Sequence, residues 1–264
     1  LGQEDLVDAD VKALRRANVK IGVSTHDHAE LDKGLAIDPD YVALGPIWPT
    51  KLKQMPWAPQ GTEKLREWKQ HVAAKQPELM LPAHGMAIGG KERVGQVLTD
   101  TAAALESLHE QTLALMNSGA RLDDVIHQVR LPKELADKPF LKPTYDEPEF
   151  VVRNLWRLYG GWYDGNPANL KPATEVALAT EMAALAGGAE ALAARAEELA
   201  NAGDFRLACH LIEMAATAAA DSKRIHEIRA AIYTERRKIE TSFMATGIYR
   251  SAALDSKARI EELS

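Results

Sequence analysis

Tyr159-Gly160-Gly161-Trp162-Tyr163-Asp164-Gly165-Asn166-Pro167 is the corner of the sequence. Two glycines interrupt a helical pattern and two large aromatics follow. Asp-Gly-Asn-Pro then supplies the turn chemistry that reverses a chain. From about Leu79 onward the sequence reads as helices leading to or away from this corner. A shorter segment of different character precedes them.

Downstream of the corner, alanine-rich helices are predicted over 175–186 and 190–201, split by Gly187-Gly188. Gly203-Asp204 separates them from a helix over 205–220. Asp221-Ser222 caps another over 223–243, and 248–263 is the last. Paired helices with small residues at their crossings suggest a helical-hairpin bundle. Upstream, Val94, Val97, Leu98, Ala102, Leu105 and Leu108 recur at near-3.6 spacing in a long helix over 93–117, which Gly119 ends. Helices follow from Leu122 to Ile126 and, rich in aromatics, over 147–159. Carboxylates such as Glu197, Glu198, Asp204 and Glu213 read as solvated outer faces.

The 264 residues are 46% hydrophobic and 27% charged, which excludes a disordered chain. No apolar run reaches the roughly 20 residues that cross a bilayer. The acidic, polar opening Leu1-Gly-Gln-Glu-Asp5 is unlike a signal peptide, and the missing initiator Met is what a fragment or processed product would show. A net charge of −6, with basic residues interspersed among acids, argues against nucleic-acid binding. The single cysteine, Cys209, excludes an intrachain disulfide. It reads as a buried helix residue in a reducing compartment, with a reactive thiol as the alternative.

In the N-terminal segment, a helical stretch over 8–17 precedes the β-branched run 19–24. A helix over 28–36 then leads to a second strand over 40–45. Strand, helix and strand at this spacing imply a parallel βαβ unit, whose functional groups gather at the carboxyl ends of the strands. Glu78 to Pro82 is a candidate third strand. Thr25-His26-Asp27-His28 has two readings: the start of a metal site, or a strand end and helix cap with solvent-facing histidines.

Leu1-Gly-Gln-Glu-Asp-Leu6, Gly22-Val-Ser-Thr-His26, Tyr41-Val-Ala-Leu-Gly-Pro46, Pro49-Thr-Lys-Leu-Lys53 and Ala58-Pro-Gln-Gly61 resemble an internal fragment of thiamine-phosphate synthase, a TIM-barrel family. The resemblance implies that Asp5 is a magnesium ligand, Ser24 a pyrimidine contact and Thr50 a thiazole-phosphate contact. It puts Lys53 near the departing pyrophosphate, as a catalytic residue. Leu52 stands where that family has a second threonine. With most barrel strands missing, the expectation is a partial α/β segment that cannot close a barrel.

A second set of motifs runs in order: Leu79-Met-Leu-Pro-Ala-His-Gly85, Lys91-Glu-Arg93, His109-Glu-Gln-Thr-Leu-Ala-Leu-Met-Asn117, Leu131-Pro132, Gly160-Gly-Trp-Tyr-Asp-Gly-Asn-Pro167, Ala186-Gly-Gly-Ala189, Ala202-Gly-Asp204 and Arg250. These resemble the alkyl sulfatase branch of the metallo-β-lactamase superfamily, from the end of its catalytic domain through its helical dimerisation domain. The family hydrolyses sulfate esters at a binuclear zinc centre. By resemblance His84 sits where a late zinc ligand lies, while Tyr145 and Arg153 approach the sulfate.

The fold expected is therefore α+β, mostly α. Residues 1–77 form a partial parallel βα segment and residues 78–264 a helical-hairpin dimerisation bundle with a metallo-β-lactamase remnant. The function expected is a homodimerisation module, not catalytically complete alone. The alternatives are a zinc-dependent sulfate-ester hydrolase completed by another chain, and a residual thiamine-phosphate synthase. A homodimer, a small sulfate or phosphate ester as ligand, no nucleic-acid or membrane partner, and a cytoplasmic location complete the expectations.

Overall fold

The computed structural model describes residues 1–44, 67, 76–82 and 86–264. The chain divides into two compact units. One comprises residues 1–120, 124–142 and 152–158, and the other 121–123, 143–151 and 159–264. Helices dominate, with a small parallel sheet near the N-terminus.

In the first unit, helix is present on either side of Ala9-Asp10, as α1 (Asp5–Asp8) and α2 (Val11–Arg16), instead of one stretch over 8–17. The reason is local: Asp10 leaves helical geometry and its carboxylate accepts from the Ala13 N–H at 2.9 Å, capping α2. Strand β1 (Gly22–Thr25) pairs in parallel with β2 (Tyr41–Leu44) through α3 (His28–Ala36), as the spacing implied. Gly22 is opposite Tyr41, whose ring lies where a Cβ on Gly22 would stand. Helix α3 packs on β1, burying Leu31 and setting Gly34 against Val23. Along β1, the Leu1 ammonium donates to the Gly22 carbonyl (2.6 Å), the Ser24 N–H to the Leu1 carbonyl (2.9 Å) and the Gln3 amide to the Ser24 carbonyl (2.8 Å). These bonds occupy backbone groups that a bare edge would expose.

The candidate third strand does not join this sheet. β3 (Leu79–Met80) pairs antiparallel with β4 (Ile88–Gly89) in a separate ladder. The partner lies a few residues on in sequence, so the loop closure costs less than a return to β1. α4 (Lys91–Asn117) then buries Val94, Val97, Leu98, Ala102 and Leu108. Its one buried acid, Asp100, is held by the Lys138 ammonium and by the Gln96 amide at 2.8 Å. α5 (Leu122–Gln128), α6 (Lys133–Ala136) and α7 (Pro148–Gly160) follow.

The second unit is built on α8 (Glu175–Ala186), α9 (Ala189–Asn201), α10 (Phe205–Ala218), α11 (Lys223–Lys238) and α12 (Phe243–Glu262). Successive helices pack as hairpins around a core of Ala193, Ala196, Ala208, Ile212, Ala215 and Ile225. Thr174, Asp204, Ser222 and Ser242 each accept from a backbone N–H three residues on, starting α8, α10, α11 and α12.

The break between the last two helices falls at 239–242, earlier than the sequence pattern suggested. Ser242 caps α12 and its hydroxyl donates to the Tyr145 carbonyl at 2.7 Å, while the Phe243 N–H donates to the Thr144 carbonyl at 2.8 Å. The distant loop carrying Thr144 and Tyr145 thus fixes where α12 begins. No single helix among the described residues is long and apolar enough to cross a membrane.

Candidate functional site

The corner after α7 is held by its own polar groups. The Asp164 carboxylate accepts from the Asn166 N–H at 2.8 Å and from the Asn169 amide at 2.5 Å. Those two bonds, the backbone one first, hold the carboxyl below the usual aspartate range. The Leu122 N–H donates to the Asp164 carbonyl at 2.9 Å. The Asn166 side chain accepts from the Ala168 N–H, opening the 3-10 turn Pro167–Leu170. Gly165 has φ +88°, and a Cβ there would meet Arg121 Cγ at 2.7 Å, so only glycine fits. On this braced loop Trp162 is 74% exposed, its ring 6.0 Å from that of Tyr163 in an edge arrangement. A braced loop presents aromatic surface at little entropic cost, which suits an interface anchor.

Helix α8 continues this surface. Only Ala179 and Ala183 are buried, whereas Val176, Leu178 and Leu185 are exposed. The usual amphipathic arrangement would turn the large side chains inward.

Inside the bundle a polar network joins α10, α11 and α12. Arg229 donates to Glu213 (2.8 Å), to the Ala252 carbonyl (2.7 Å) and to the fully buried Ser256 hydroxyl (2.8 Å). The guanidinium also lies 5.1 Å from the centroid of Tyr233, which stacks on Tyr249. Burial first, then its hydrogen bond to Glu213, pushes the Tyr233 hydroxyl well above the usual phenol range. With its hydroxyl proton held and its charges paired, this network is suited to fixing helix positions more than to acid–base work. Cys209 is half-buried beside it, with its thiol raised by burial, which fits the structural reading over the reactive one. Sequence spacing gave no sign of the network, because the partners of Arg229 lie 16, 23 and 27 residues away.

At the N-terminal segment, Asp27 caps α3 by accepting from the Glu30 N–H at 2.8 Å. The Glu30 carboxylate reaches back to the His26 N–H and to His26 Nδ1, both at 2.7 Å, a variant of the capping box. The His26 side chain is only 11% exposed, so it departs from the solvent-facing expectation. The buried Thr25 hydroxyl donates to the Ala43 carbonyl at 2.9 Å.

Ser24 is exposed on β1, near its carboxyl end. Asp5 is exposed at the start of α1 and accepts from the Gly2 N–H at 2.7 Å. Tyr145 is partly exposed, its carbonyl taken by Ser242, and Arg153 is exposed on α7. Thr50, Lys53 and His84 lie outside the described residues. Among the described residues no group of three or more His, Cys, Asp or Glu side chains could hold a metal ion.

Residues 121–259 match the family described as alkyl sulfatase dimerisation, and residues 1–105 match thiamine monophosphate synthase. The linear primary-alkylsulfatase of Pseudomonas sp. (strain ATCC 19151) is 29% identical over 72% of this chain and 36% of its own length. The thiamine-phosphate synthase of Rhizobium etli is 50% identical over 41% of this chain and 52% of its own. Among solved structures, the stereoselective inverting sec-alkylsulfatase Pisa1 from Pseudomonas sp. shares the fold over 74% of this chain and 31% of its own, with a TM-score of 0.68 at 24% identity. The chain thus spans about half the length of one of these relatives and about a third of the other two.

Proposed function

Because the chain belongs to the alkyl sulfatase dimerisation family, we propose that its helical part is a homodimerisation module of an alkyl-sulfatase-like metallo-hydrolase, and that this pairing, not a complete reaction centre, is what residues 1–264 supply. The observation that carries the reading is the family match over 121–259 falling on a packed hairpin bundle whose adjoining corner presents Trp162 to solvent. A closed two-fold pair fits such a surface, since each copy offers the same patch. Sedimentation of the whole chain at micromolar concentration tests it: a dimer is expected, and a strict monomer sinks the proposal.

A second reading follows from the 29% identity to an alkylsulfatase. In it His84 contributes to a zinc centre of metallo-β-lactamase type whose other ligands come from another chain, and Tyr145 and Arg153 meet the sulfate. Zinc content after purification, and sulfate release from a medium-chain alkyl sulfate, are the measurements. A protein free of zinc and without hydrolysis removes this reading. A third draws on the match over residues 1–105: Ser24, Thr50 and Lys53 bind a phosphate ester and Asp5 a magnesium ion. Calorimetric titration with thiazole phosphate is expected to give heat, and none at millimolar ligand eliminates it. Cytoplasmic placement, without nucleic-acid or membrane partners, belongs to the same proposal, and a lone half-buried cysteine is compatible with a reducing compartment.

A further inference from the structure

Between Trp156 and Ala179 no residue is buried, although this stretch carries Trp162, Leu170, Val176 and Leu178, each more than half exposed. The segment is nevertheless ordered from within, by the Asp164 and Asn166 side chains, the 3-10 turn and the Thr174 cap. It runs into α8, whose faces are inverted: small Ala179 and Ala183 inward, large Val176, Leu178 and Leu185 outward. Burying alanine while exposing leucine loses most of the apolar transfer energy that a surface helix normally gains. Such a helix is one whose outer face is core for something else.

We propose that residues 162–185 form an arm that lies against a second copy of this chain and is the centre of the dimer interface. The inference rests on the dimerisation reading above and names the surface that does the pairing. Three observations favour a second copy as the occupant. Trp162, Leu170, Val176, Leu178 and Leu185 together expose on the order of 600 Å² of side chain, close to the ~800 Å² that each partner of a stable interface contributes. The segment carries few charges, Asp164, Lys171, Glu175 and Glu181, and Asp164 is already used by the turn. One lysine among three acids is also the wrong balance for an anionic bilayer surface, where basic residues flank the apolar face. Finally, the arm lies within the span that matches a dimerisation family.

The test compares three proteins by sedimentation equilibrium: the whole chain, the double variant Trp162→Glu with Leu178→Glu, and the control Leu254→Glu. Leu254 is 50% exposed on α12, outside the arm. The arm variant is expected to weaken the dimer by about 100-fold or more, as loss of interface anchors does, and the control to leave it within a few-fold. Since neither arm residue is buried, far-UV circular dichroism and the melting of the dilute monomer should be unchanged. An arm variant as tight as the parent, with a dimeric parent, overturns the arm while leaving dimerisation standing. A monomeric parent removes both. A monomeric parent that binds neutral or anionic vesicles through the arm overturns the proposal in favour of a lipid surface.

Discussion

The β1–α3–β2 piece and the α8–α12 bundle bury their apolar groups in different ways. The sheet piece relies on a few large side chains, Ile21, Val23 and Leu31, with the Thr25 hydroxyl satisfied across the strands. The bundle relies on alanines that are wholly buried, among them Ala193, Ala196, Ala208 and Ala215, with Ile212 and Ile225 as its larger members. Small residues let helices approach closely, so contacts between neighbours in sequence suffice. Parallel strands can meet only after a crossover has been closed, at an entropic cost. The bundle is therefore the more self-sufficient region, and its spare large apolar groups, Val176, Leu178 and Leu185, face outward.

The most severe challenge to this contrast is Ile212→Ala. It removes the larger member of a tightly packed core and should cost about 3–4 kcal/mol. In a denaturant titration the loss should fall on the bundle transition and leave the near-UV signal of the N-terminal unit in place. Loss of both together would show that the bundle does not stand by itself.

Asp100→Asn probes the other unit. Burial opposes the charge of Asp100, but hydrogen bonds from Lys138 and Gln96 outweigh it and lower its pKa. Because the folded pKa is below the unfolded one, the stabilisation is present at neutral pH and is lost as pH falls through the folded value. The substitution should cost about 2 kcal/mol at neutral pH, less than a fully buried pair would because Lys138 retains some exposure. Its cost should vanish in acid, and a pH-independent loss would assign the effect to packing.

Ser242→Ala should cost about 1 kcal/mol, by removing both the α12 cap and the bond to Tyr145. Thermal melts that match the parent would mean that Thr144 and Phe243 hold the junction unaided. Glu147→Gln is the mildest change and has the opposite sign. Burial first, then Glu240 and Glu149, raises the Glu147 pKa, with Arg206 and Arg236 partly offsetting them. A carboxyl whose folded pKa is raised favours folding more as pH falls through that value. Removing its charge should therefore stabilise the bundle at neutral pH by no more than about 0.5 kcal/mol, given its exposure to solvent screening. Destabilisation would point to a hydrogen bond that the carboxylate alone can make.

Much of the architecture was legible in residue order. The α3 and α8 limits, the Gly187-Gly188 break and the cap at Ser222 follow from periodicity and short-range hydrogen bonding, which act over three or four residues, whereas Asp204, read as a solvated outer-face acid, instead caps α10. The candidate site was only partly legible: the corner stood out through its glycines and aromatics, but nothing local marked Asp164 as its brace or Arg229 as the bond between helices. Tertiary structure alone decided three things. β3 took the nearby β4 as partner, α12 began where Thr144 and Tyr145 captured Ser242, and α8 turned its alanines inward. Periodicity shows that a helix has apolar residues but not which of two apolar faces its neighbours will cover. That choice is made by contacts between residues far apart in the chain.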